Sequence, residues 1–139
     1  MQRRIFLAAL LSPMLPMSAL AHSAKLGVID IGHAWALPSV TDEGQVMMPL
    51  YNAGQMPDAL MAASTPVAAA VELRNGSAVV QEFVLSPKKP FPMRAAASHL
   101  HLTGLTKPLE KGAMFPLTLT FKNAGQIEIQ IYVAEKPGE

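Results

Sequence analysis

The sequence predicts an all-β fold, a sandwich or barrel of about seven to nine short strands. Three observations carry this. Apolar and polar residues alternate over 115–122 and 127–133, the period of a half-buried strand. Turn signals recur at short intervals, at Asn52-Ala53-Gly54, Asn75-Gly76 and Asn123-Ala124-Gly125, the spacing expected of sandwiches and barrels. No stretch carries a long helical repeat; the alanine-rich segment 59–70 is interrupted by Ser64-Thr65-Pro66.

Taken in order, the strands are as follows. Residues 26–31 form the first and 46–51 the second, which ends at the Asn52 turn. Segments 59–63 and 67–73 follow, divided by Ser64-Thr65-Pro66. Asn75-Gly76 is the strongest hairpin signal, and 78–85 returns from it. Residues 91–94 read as an edge strand, because Pro90 and Pro92 cannot donate to a ladder. Residues 99–103 precede a loop over 105–112. The last two strands then form a hairpin: Phe115, Leu117, Leu119 and Phe121 share one face, and Ile127, Ile129, Ile131 and Val133 another.

Composition excludes several classes. Half of the 139 residues are hydrophobic, which argues against disorder. There is no cysteine, hence no disulfide framework, thiolate metal site or cysteine nucleophile. Charge is near neutral without a basic run, which disfavours nucleic acid. No glycine-rich phosphate loop, nucleophile elbow or paired catalytic carboxylates are visible, so no enzyme is expected. Asp42-Glu43, beside Gly44, reads as a solvated turn.

The first residues read as an address. Arg3 and Arg4 precede an apolar run over 5–11, and Ala19-Leu20-Ala21 has the small-x-small form of a cleavage site. This predicts a signal peptide over 1–21, too short and too rich in proline for a membrane span. Arg3-Arg4 also fits twin-arginine export, though no Ser or Thr precedes Arg3; ordinary secretion is preferred. The remaining domain, 22–139, has nine basic and ten acidic residues, a net charge of −1. It is expected to be exported, without stable membrane insertion, and monomeric.

The candidate chemistry sits on histidine and methionine. His99-Leu100-His101 places two imidazoles on one face of a strand, with Leu100 and Leu102 towards the core. Such a pair can share a metal ion; an exposed polar face is the alternative. His22 becomes the N-terminus after cleavage, and its amine and imidazole can chelate Cu(II). His33, near the sole tryptophan, Trp35, reads as a strand-end residue. Met93 is the thioether nearest to His99 in sequence; packing is its other reading. Of Met47 and Met48, within one expected strand, one should face away from the other.

Several stretches resemble the periplasmic copper chaperone family PCu(A)C. They are Ile31-Gly32-His33-Ala34-Trp35-Ala36, Ala63-Ser64-Thr65-Pro66, Val71-Glu72-Leu73, the run from His99 to Leu105, Lys107-Pro108-Leu109, and Pro116 to Phe121 through Ala124-Gly125. They span nearly the whole domain in order. The resemblance implies a cupredoxin-like Greek-key β-sandwich in the periplasm. It also implies Cu(I) binding through His and Met, and delivery to a copper-accepting protein such as the CuA site of a cytochrome oxidase subunit.

The ligand pattern departs from that family. Arg74 stands where a His usually follows Val-Glu-Leu, the methionine-bearing hairpin is shortened, and the final His-x-Met reads His99-Leu100-His101. Arg has no lone pair to donate. Imidazoles in place of a thioether shift preference from Cu(I) towards Cu(II). The expected metal set is His99, His101, Met93 and His22, on a shallow, exposed strand-end site. The competing expectation is a metal-free sandwich that binds a protein partner.

Overall fold

The computed structural model describes residues 23–138. The expected leader and His22 lie outside them. The described residues form thirteen strands and no helix. They begin with β1 (Ala24–Leu26), β2 (Ile29–Ile31), β3 (Trp35–Ala36), β4 (Gly44–Met47), β5 (Leu50–Asn52) and β6 (Asp58–Ser64). There follow β7 (Ala68–Asn75), β8 (Ala78–Val80), β9 (Phe83–Leu85), β10 (Pro90–Phe91), β11 (Ser98–Leu105), β12 (Met114–Phe121) and β13 (Gly125–Val133).

The strand count exceeds the expected seven to nine because three expected strands are each split and because Trp35–Ala36 adds a short strand, β3, that the sequence did not announce. Residues 26–31 fold into the β1–β2 hairpin, turning at Gly27 with φ of 57°. Residues 46–51 change sheets at Pro49, so β4 and β5 lie in different sheets. Met47 and Met48 are therefore both fully buried, against the expectation that one faces away. Residues 78–85 divide into β8, which pairs with β7, and β9, which pairs with β6. The β10 edge strand holds Pro90 and Phe91 but not Met93.

A four-stranded sheet runs β1-β2-β5-β10, and a nine-stranded sheet runs β8-β7-β11-β4-β3-β13-β12-β6-β9. Strands β8 and β9 are the two edges of the larger sheet, yet only Gln81 and Glu82 separate them. Three residue steps span at most about 11 Å. A flat nine-stranded sheet would set its edges about 38 Å apart. The sheet must therefore curl until its edges nearly meet, giving a barrel-like sandwich. Within it only β3 pairs in parallel, with β13, among the described strands.

One core fills the interior. Ile29, Ile31 and Leu50 from the smaller sheet join Val46, Leu100, Leu102, Leu117, Leu119 and Ile131 from the larger. The alternation expected for β12 and β13 holds: Phe115, Leu117, Leu119 and Phe121 are buried in β12, and Ile129, Ile131 and Val133 in β13. Two buried polar side chains tie loops to this frame. Asn52 donates from Nδ2 to the carbonyls of Met56 and Leu85 and accepts from the Gly54 amide. Asp58 accepts from the amides of Ala59, Asn123 and Ala124. Buried polar groups paired in this way avoid the cost of desolvation.

Candidate functional site

Strand β11 lies between β7 and β4. Its register sets His99 opposite Arg74 of β7, and His101 between Glu72 of β7 and Gln45 of β4. Directly opposed residues share a face, so these side chains form one polar layer outside the core. Leu100 and Leu102 point the other way and are fully buried, as the two-residue period requires.

The histidines, however, are not exposed. His99 is 2% exposed and His101 9%, which corrects the expectation of a shallow, open site. The cover comes from two loops, one just before β11 and one distant in sequence. The segment before β11 turns through Ala97, whose amide bonds to the Arg94 carbonyl. The segment before β4 lies beside His101, where Leu37, Pro38, Ser39, Thr41, Glu43, Gly44 and Gln45 line a cavity of about 230 Å³ with it. That segment is anchored: Ser39 N donates to Leu109 O, Leu109 N to Ser39 Oγ, and Leu105 N to Asp42 O.

A chain of hydrogen bonds fixes the ring protons. His99 Nδ1 lies 2.8 Å from the Ala97 carbonyl. A carbonyl only accepts, so Nδ1 of His99 carries hydrogen and its Nε2 keeps the lone pair in the neutral ring. That Nε2 lies 3.2 Å from His101 Nδ1, which must then be the donor. His101 Nε2 is left with a lone pair. Its near neighbour is Glu43 Oε1 at 3.4 Å, also an acceptor, and no hydrogen bond forms. His101 Nε2 is the buried side-chain polar atom without a hydrogen-bond partner among the described residues.

The environment keeps His99 neutral. Burial pushes its pKa below the ordinary value of 6.5, the Ala97 carbonyl opposes this, and the charges of His101 and Arg74 lower it further. Neutral imidazole is the form that ligates a metal. Arg74 itself is held by Glu72, whose Oε2 lies 3.1 Å from both Nε and a terminal guanidinium nitrogen. The carboxylate offsets much of the positive charge beside His99.

The remaining candidates among the described residues do not join this pair. Met93 packs into the hydrophobic core. It lines a cavity of about 700 Å³ with His33, Trp35 and Arg94, whereas His101 lines the smaller one. Met48 is fully buried in the core. His22 lies outside the described residues. Among those residues no group of three His, Cys, Asp or Glu is placed to hold a metal. Glu43, read from the sequence as part of a solvated turn, is the residue that reaches His101. Only the strand register that brings Gly44 opposite Leu102 puts it there, and no local motif announces it.

Solved structures place the fold in the PCuAC class. The apo PCuAC domain from PmoF1 aligns with a TM-score of 0.76 at 20% identity, covering 83% of this chain and 100% of that one. The copper-bound PCuAC domain from PmoF2 aligns at 0.77 and 24% identity, covering 83% and 99%. The solution structure of CuI-DR1885 from Deinococcus radiodurans aligns at 0.64 and 20%, covering 78% and 82%. Residues 29–133 match the family described as "Putative lipoprotein LpqE-like", and the chain belongs to that LpqE-like family. A comparison with curated proteins finds no significant match.

Proposed function

We propose that this protein is an exported copper carrier that holds Cu(I) between His99 and His101 and yields it to a protein acceptor. The observation that carries the reading is the 3.2 Å separation of His99 Nε2 and His101 Nδ1. Two metal–imidazole bonds of about 2.0–2.1 Å at a tetrahedral angle set their nitrogens about 3.3 Å apart. The fold of copper-bound PCuAC domains supports the choice of metal, and the family's lipoprotein description supports export.

Copper is cargo here, and the chain's residues handle it by moving one proton. The ion displaces the hydrogen shared by the two rings. His101 then carries its hydrogen on Nε2, where Glu43 stands 3.4 Å away ready to accept it. Return of the proton to Nδ1 restores the ring-to-ring hydrogen bond as copper leaves. With two protein ligands, an acceptor can approach through an unfilled coordination position. A CuA site of cytochrome oxidase is the acceptor implied by the family resemblance.

The test is Cu(I) titration against a competing chelator. His99→Ala should weaken binding at least about tenfold, the loss expected when one of two ligands is removed. Unchanged affinity would remove His99 from the site. A second reading is favoured by the Arg74–Glu72 pair opposite the histidines: a sandwich that has given up metal and binds a protein partner. It predicts no Cu(I) uptake by the parent protein.

A further inference from the structure

We propose that His101 Nε2 and Glu43 form a separate binding position for a borderline divalent cation of the zinc class. The reason is the unmatched lone pair. Every other ring nitrogen of the pair is satisfied: His99 Nδ1 by Ala97 O, and His99 Nε2 by His101 Nδ1. His101 Nε2 is buried, has no hydrogen-bond partner and faces a carboxylate oxygen at 3.4 Å. Two acceptors held face to face are satisfied by a cation between them. Bonds of about 2.0–2.2 Å to imidazole and carboxylate at a tetrahedral angle set the donor atoms about 3.4 Å apart.

The surroundings match this role. A ligating imidazole normally donates its other N–H to a fixed acceptor. Here His101 Nδ1 donates to His99, which is in turn fixed by Ala97 O. His99 is thus a positioning residue for the outer position. Glu43 sits on the loop pinned through Asp42 O to Leu105 N, and its amide bonds to Thr41 Oγ1. The adjoining cavity of about 230 Å³ has room for water to complete the coordination. Nitrogen with a carboxylate selects a divalent ion over Cu(I). Neutral imidazole has a single lone pair, so an ion on Nε2 and copper on Nδ1 exclude each other.

The position stands on this geometry whether or not Cu(I) enters between the rings. Its test is isothermal titration of the metal-free full chain with Zn(II), beside Cu(I) titration of the same preparations. Glu43 is exposed over much of its side chain, so Glu43→Gln should fold. Gln can still accept an N–H but ligates zinc poorly. The expected result is Zn(II) affinity reduced at least about tenfold in Glu43→Gln. Absence of Zn(II) uptake by the parent, or equal uptake by Glu43→Gln, would overturn the proposal. Loss of Cu(I) binding alone would count against the copper reading and leave this one intact.

Discussion

His99 couples the site to the stability of the metal-free protein. Its pKa lies below 6.5 in the fold because burial disfavours the imidazolium. The unfolded chain therefore binds a proton more readily than the folded one. The stability tied to neutral His99 is present above about pH 6.5 and is lost as pH falls through the lowered folded value. Denaturant unfolding at a series of pH values should show this decline in the parent and a flatter profile in His99→Gln. An equally steep fall in the variant would place its origin elsewhere. The shared face of His99 and His101 was legible from the two-residue period of a strand. Their burial was not, because part of the cover comes from residues 37–43, far from β11 in sequence, and the tight turn at 94–97 carries no signal of its own. Met93 illustrates the opposite error. Nearness in sequence suggested a ligand, but its side chain packs into the core.

Elements were most legible where apolar and polar residues alternate over a whole strand. Strands β12 and β13 alternate cleanly, and the turn at Gly125, with φ of 100°, falls at the expected Asn123-Ala124-Gly125. Splits were missed at Gly27, Pro49 and Gln81-Glu82. At Pro49 both sheets feed one core, so the apolar run looks continuous where the backbone leaves one sheet for the other; β1–β2 and β8–β9 instead break within a single sheet, at a turn the apolar run conceals. Pairing at the far end of β6 depends on a single carboxylate. Asp58 binds two amides of the β12–β13 turn, Asn123 N at 2.9 Å and Ala124 N at 3.0 Å. Asp58→Ala strands these donors and should cost about 2–3 kcal/mol, measured by urea unfolding. A loss under about 0.5 kcal/mol would mean that water replaces the carboxylate. Gly104 shows a second constraint: it adopts φ of +63°, and a Cβ there would lie 2.7 Å from that of Ala69. Position 104 of β11 thus requires glycine.

At the scale of the molecule, one cluster of buried side chains links the four-stranded and nine-stranded sheets. With no cysteine to cross-link it, stability rests on this core. Unfolding should be a single cooperative transition by calorimetry, with matching calorimetric and van't Hoff enthalpies; two resolved transitions would show that the sheets melt separately. The all-β class was legible in the sequence, whereas the closure of the larger sheet was not, because it depends on which edges β8 and β9 occupy. Gln81 and Glu82 act there like a short belt, setting the girth of the cylinder as a buckle does. The roundness of the molecule is therefore imposed partly by covalent length. A few added links at that point would let the same strands hang slack without the loss of a single side chain.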